Sequence, residues 1–173
     1  MTQELIDLRQ SILEGRYEDA LEIVDELEGM SKQAILRNIQ SFLLRLLTHL
    51  IKNQVEKRLT NSWATSISDS IRQIKKLNLK DHKTSYYLKL NEWQELIEDE
   101  IEAAIDVASV EVFAGTYSRF QLAAMVDKER VREIAQDLLA LTYSNSVKEL
   151  SPIVNDYLTS LPGGEEWNQG GIK

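Results

Sequence analysis

The chain has 173 residues, 43% of them hydrophobic, with 20 Lys and Arg against 28 Asp and Glu and a formal net charge of −8. This length suits one domain with a sizeable core, and we expect a single helical domain over residues 1–161 followed by a flexible tail over 162–173. The absence of cysteine excludes disulfides, thiolate metal sites and cysteine nucleophiles.

Apolar residues recur at spacings of three and four along the whole chain, and no alternating strand pattern occurs. The pattern predicts an all-α helical bundle with an N-terminal helical hairpin, three long helices and a smaller C-terminal helical cap. The start, MTQELIDLRQ, has no basic stretch ahead of an apolar core, so no signal peptide is expected. In the hairpin, Leu5, Leu8 and Ile12 mark one stripe, Gly15 breaks it, and Leu21, Val24 and Leu27 mark the next. GRYEDAL resembles the turn of a tetratricopeptide repeat, but no copy follows at the period of about 34 residues that such stacks require.

Ser31 is a candidate N-cap for a long helix reaching about Leu59. Its apolar residues, among them Ile39, Leu43, Leu46, Leu47 and Leu50, cover an arc wide enough for a central helix. Arg37, Arg45 and His49 interrupt this run, so we expect no membrane span. We expect a cytoplasmic protein. Thr60 to Ser62 offer caps for a third helix with Trp63, Ile67, Ile71, Ile74 and Leu77 on one side and Arg72, Lys75 and Lys76 on the other. After a break at NLKD, the register from Tyr86 through Trp93, Ile97, Ile101 and Ile105 to Val112 predicts a helix over 86–112. That stripe outruns the preceding helix, which allows a homodimer through Ile101, Ile105 and Val112, or cover by Phe120, Leu122 and Val126. Ser118 with Gln121 and Ser146 with Glu149 have capping-box spacing, Asp127 can cap the segment from Val131 to Leu141, and Pro152 suits a first turn.

Charge is segregated along the chain. Residues 1–30 hold nine acidic and two basic groups, 32–89 hold twelve basic and three acidic, and 92–106 hold seven acidic and none basic. Arg72, Lys75, Lys76, Lys80 and Lys83, with Tyr86 and Tyr87 after them, form an edge suited to an acidic protein partner. Such an edge can also track a phosphate backbone while aromatics stack on bases, although the overall negative charge opposes nucleic acid at long range. Part of the edge is expected to lie beside acidic side chains of the hairpin or of 92–106.

Familiar catalytic and cofactor patterns are missing. A bundle di-iron site needs Glu-x-x-His twice, yet Leu46 and Leu79 stand three residues before His49 and His82. Two histidines without HExxH are too few for zinc, and no glycine-rich phosphate loop occurs, so we expect neither metal nor cofactor. Glu95, Glu98, Asp99 and Glu102 share a polar helix face, where solvent does not separate carboxylate pKa values as acid–base chemistry requires. His49, with Arg45 and Lys52 on neighbouring turns, reads as a boundary residue hydrogen-bonded at a helix contact. Trp63 reads as a ring covering the bundle end.

The stretches LLTHLIKNQ, KRLTNSWATSI and IRQIKKL, with His49, Lys52, Arg58, Ser62, Trp63, Ile67 and Arg72 in that order, resemble the signature of the domain of unknown function 29 family, small helical proteins mainly of cyanobacteria. The likeness runs from about Leu8 to Leu141. Asn53 stands where members often carry tryptophan, and VEKR holds no proline. The resemblance implies an all-helical fold in a bacterial cytoplasm and transfers no mechanism, because the family carries no established activity. From the sequence we therefore expect a non-catalytic protein–protein interaction or regulatory module. The alternatives are an enzyme with a site assembled around His49, Arg45 and Arg58, or a nucleic-acid-associated protein using the 72–83 edge.

Overall fold

A computed structural model describes residues 2–80 and 85–170; Lys83 and His82 thus lie outside the described residues. Among the described residues there are eight helices and no strand, the all-α class that the periodicity predicts. By its packing the chain divides into two compact units, Met1–Asn38 and Ile39–Lys173.

In the first unit, α1 (Gln3–Leu13) ends in a turn at Gly15, with the Arg16 N–H donating to the Ser11 carbonyl at 2.8 Å. The next helix, α2 (Tyr17–Glu56), opens with Glu18 and Asp19, whose charges favour a helix N-terminus. Arg16 reaches Glu14 and Asp19 at 2.7 and 2.9 Å. The break expected at Ser31 does not occur, and α2 runs unbroken for 40 residues. Three positions after Ser31 stands Ala34, so no reciprocal box can form there. Gly29 costs a helix only about 1 kcal/mol. Among the described residues through Asn38, only Ser11 and Ala20 are buried.

In the second unit, the remainder of α2 buries Ile39, Leu43, Leu46, Leu47, Leu50 and Ile51. Lys57, at φ 56°, turns the chain, and the Thr60 hydroxyl accepts from the Trp63 N–H at 3.1 Å to start α3 (Asn61–Asn78). The following helix is shorter than its register predicts, because α4 spans Trp93–Glu111 and residues 85–89 lie outside it. Asn78 explains the difference. Its side-chain amide donates to the Leu88 carbonyl at 3.0 Å and accepts from the Leu88 N–H at 2.7 Å, while the Tyr87 N–H donates to the Asn78 carbonyl. These bonds hold the segment in an antiparallel bridge between Leu79 and Tyr86, and helical geometry would forfeit them.

Three shorter helices follow, α5 (Arg119–Met125), α6 (Lys128–Ser144) and α7 (Val147–Leu158), with Ser118, Asp127 and Ser146 as their N-caps. Pro152 lies inside α7, beyond its first turn. α3 packs on α6 and α7, α4 on α5 and α6, and α6 on α7. This packing buries Ile101, Ile105 and Val112 within the unit and removes the bare stripe on which the homodimer expectation rested. Leu122 shares in that buried core, whereas Phe120 is exposed.

The chain after α7 is described as far as Gly170. A helix, α8 (Gly164–Asn168), forms after Gly163 at φ 72°. The Asn53 amide donates to the Pro162 carbonyl at 2.8 Å, and the Trp167 indole N–H donates to Asn61 at 3.2 Å. A Cβ at Gly163 would lie 2.7 Å from the Arg58 Cα, and one at Gly164 would lie 2.3 Å from the Leu158 carbonyl oxygen. Only glycine allows so close a backbone approach.

Candidate functional site

Three residues of the sequence signature, Lys52, Arg58 and Trp63, converge on the corner between α2 and α3. Trp63 begins α3 on its core side, and its indole receives two cations: the Lys52 ammonium at 5.0 Å and the Arg58 guanidinium at 4.6 Å from the ring centroid. A cation over an indole face is favoured by the ring quadrupole. Lys52 is only 6% exposed and its ammonium pairs with Glu111 at the end of α4. Arg58 pairs with Glu56 at 2.9 Å, and the other Glu56 oxygen accepts from the Phe113 N–H at 3.4 Å. Glu111 is thereby held below the usual carboxylate range, chiefly by the Lys52 hydrogen bond.

Loops from three further places meet this corner. Asn53 holds the Arg58 and Pro162 carbonyls. Gln54 makes a reciprocal pair with the Asp127 backbone at 2.9 and 3.1 Å. Beside Glu56, the chain leaving α4 has Phe113 and Ala114 at φ 49° and 56°, a left-handed conformation that costs residues other than glycine free energy. Lys52, Arg58 and Trp63 are thus brought together, while Ser62 is exposed in the first turn of α3.

His49 stays apart from an assembled catalytic group. Its Nδ1–H donates to the Arg45 carbonyl at 2.8 Å, and burial lowers its pKa, with the Lys52 and Arg45 charges acting the same way against the Arg45 hydrogen bond. Arg45 turns to Asp69 at 3.0 Å and Ser66 at 3.3 Å on α3. Arg58 serves Glu56 and Trp63, so the two guanidinium groups proposed alongside His49 answer to different partners.

The basic edge of α3 resolves into residues with different roles. Arg72 pairs with Asp69 on its own helix at 2.7 Å. Lys75, expected to face away from the core, is only 7% exposed. Its ammonium donates to the Tyr86 hydroxyl at 2.6 Å and to the Thr142 carbonyl and lies 4.9 Å from the centroid of the Tyr86 ring. Tyr86 also meets Tyr143 edge to face at 4.7 Å, which leaves it poorly placed to stack on a base. The Tyr143 hydroxyl accepts from the Trp93 indole N–H and donates to the Leu88 carbonyl, each at 2.6 Å; burial raises its pKa.

Lys76 and Lys80 are exposed, and among the described residues no carboxylate pairs with either. Together with Lys75, Leu79, Tyr143 and Val147 they line an open cleft of about 680 Å³ between the end of α3 and the α6–α7 corner. Volumes of this order are typical of ligand clefts. The walls combine apolar side chains with a cationic rim.

The acidic face of α4 is paired from another direction than expected. Arg119 bonds Glu102 and Asp106, Lys128 bonds Glu102, and Arg132 bonds Glu98, so among the described residues α5 and α6 supply its cations. Among the described residues no group of three or more His, Asp or Glu side chains is placed to hold a metal ion, and no helix is long and apolar enough to cross a membrane.

Sequence reading missed the polar residues that tie the loops down: Asn53, Gln54, Asn78 and Tyr143. A signal was present, since Asn53 follows the apolar arc of α2 and Asn78 opens the NLKD break after the α3 stripe.

Fold and geometry together define an all-α bundle protein in which Lys52, Arg58 and Trp63 meet at one corner and the exposed Lys76 and Lys80 border a cleft at the other end of α3. Over residues 8–130 the chain matches the family described as Domain of unknown function DUF29, and it belongs to that family. No curated protein and no solved structure matches it.

Proposed function

We propose that the protein is a non-catalytic interaction module that takes an acidic segment of a protein partner at the cleft between α3 and the α6–α7 corner. The carrying observation is the cleft itself, with Lys76 and Lys80 exposed on its rim and Leu79 and Val147 in its lining. Complementary charge steers the encounter and fixes register, while apolar contact supplies most of the affinity. Arg72 and Lys75, already bonded within the fold, act as support. The signature corner then serves to hold α2, α3 and the later loops in place.

The test uses a synthetic amphipathic peptide of Leu and Glu and a scrambled peptide of the same composition, each titrated against the full chain and against Lys76→Glu with Lys80→Glu. Binding of the amphipathic peptide that is lost in the double variant at unchanged melting temperature supports the reading. Equal binding by the variant, or turnover of a metabolite by the wild-type chain in a broad activity screen, overturns it.

A further inference from the structure

The first unit leaves an unusual amount of apolar surface uncovered. Leu13 is 74% exposed and Leu21 63%, and Leu5, Ile6, Ile12, Tyr17, Val24 and Met30 are exposed as well. On α1, the side chains of Leu5, Leu8, Ile12 and Leu13, with Arg9, line a hollow of about 220 Å³. On α2, Tyr17, Leu21 and Val24 are spaced four and three apart and share a face. With Ser11 and Ala20 as its buried residues, this unit stabilises itself weakly, and exposed apolar patches of this kind mark interaction sites.

Charge selects the occupant. Residues 1–30 carry nine acidic groups against Arg9 and Arg16, and Arg16 is already paired with Glu14 and Asp19. A second copy brought face to face would set like charges together, which is unfavourable in an interface. An anionic lipid surface is repelled for the same reason. The unit's described residues form two helices joined by a turn and no strand, so strand addition has no template. What remains complementary is a helix with an apolar stripe flanked by Lys and Arg. We infer that the N-terminal unit is a docking surface for a basic amphipathic helix of a partner protein, with one large apolar side chain anchored in the hollow on α1. This surface is separate from the cleft beside Lys76 and Lys80, and its test does not depend on that cleft.

The probe is a synthetic amphipathic peptide of Leu and Lys, about 20 residues long so that its apolar stripe spans several turns, compared with a scrambled peptide of identical composition. Both are titrated against the full chain by fluorescence anisotropy, and light scattering gives the mass of the free chain. The expected result is binding of the amphipathic peptide at least about tenfold tighter than the scrambled one, weakening as salt rises. Ile12→Gln with Leu13→Gln, both at exposed positions, should reduce binding at least about tenfold (about 1.4 kcal/mol) with the melting temperature unchanged, and Lys76→Glu with Lys80→Glu should not reduce it. Equal affinity for the scrambled peptide would show charge attraction alone and overturn the proposal. Equal affinity of the Ile12/Leu13 variant would overturn it too, as would a dimer of the free chain that these substitutions dissociate.

Discussion

At each end of α3 a buried lysine faces an aromatic ring, and the two ends differ in what completes the arrangement. Lys52 lies over Trp63 and is neutralised by Glu111. Lys75 lies over Tyr86 and, among the described residues, is met only by neutral oxygens of Tyr86 and Thr142. Around Lys52 every nearby loop is tied down, through Asn53, Gln54 and Glu56. Beyond Lys75 the surface opens into a cleft bordered by the exposed Lys76 and Lys80, the second of them 5.4 Å from the centroid of the Tyr87 ring. Similar pairs of residue types therefore stand in different settings: one lies in a closed corner, the other floors an open cleft.

The largest expected effect comes from removing the ring at the closed end. Trp63→Ala deletes a buried indole together with the surface on which Lys52 and Arg58 rest, and should cost about 3–5 kcal/mol in urea denaturation. A loss under about 1 kcal/mol would show that the corner does not hold the fold. Next in size is Gly164→Ala. Its Cβ would meet the backbone oxygens of Leu158 and Thr159 at 2.3 and 2.6 Å, and relieving such overlap costs about 1–3 kcal/mol. An unchanged melting temperature would mean that the 162–170 segment does not dock as described.

The two lysines test the comparison directly. Lys75→Met removes the ammonium that donates to both the Tyr86 hydroxyl and the Thr142 carbonyl, leaving only the 3.5 Å bond from Tyr86 to Thr142, and should cost about 1–3 kcal/mol. Lys52→Met leaves Glu111, whose side chain is 55% exposed, able to return to water, so the loss should stay below about 1 kcal/mol. If Lys52→Met proves the more costly of the two, the closed end depends on its ion pair and the contrast drawn here fails. A smaller effect of opposite sign is expected at the turn after α4. Ala114→Gly relieves a left-handed alanine at φ 56° and should raise stability by about 1 kcal/mol, visible as a higher melting temperature.

The all-α class and the hairpin were legible in the sequence, as were the start of α3 and the caps at Ser118, Asp127 and Ser146, because periodicity and capping are local. The continuity of α2 through Ser31 was not, since a lone serine resembles a cap until its reciprocal partner is sought. The late start of α4 was hidden because Tyr86 and Leu90 share the stripe of Trp93, while the bonds that keep 85–89 out of the helix come from Asn78, a residue of the preceding helix. Its place on a helical wheel puts Lys75 on the surface. Its burial comes from Tyr86 and the α6 carbonyl of Thr142, distant in sequence. The signature could be recognised as a pattern, but the use of Lys52 and Arg58 as caps on Trp63 depends on a side-chain geometry that no spacing prescribes.

The smallest expected effect concerns His49, which the sequence suggested was structural. Its Nδ1–H is committed to the Arg45 carbonyl, and burial, followed by the nearby Lys52 and Arg45 charges, disfavours the protonated ring, whereas the Arg45 hydrogen bond and Glu111 act the other way. The folded-state pKa is therefore depressed. As pH falls below the ordinary histidine value of about 6.5, the unfolded chain takes up the proton first, so stability present above that value is lost as pH falls through the folded pKa. Glu111, also depressed, adds its own loss only at lower pH, where unfolded glutamate protonates, at about 4.3. The two windows separate in a series of thermal midpoints taken between about pH 7 and about pH 5. Wild type should lose stability across that range more steeply than His49→Gln, whose amide keeps a hydrogen-bond donor and does not titrate. Parallel curves would remove His49 from the acid response. A variant with a flattened curve and intact binding of the Leu/Glu peptide would place the histidine with the closed end of α3 and leave recognition to the open one.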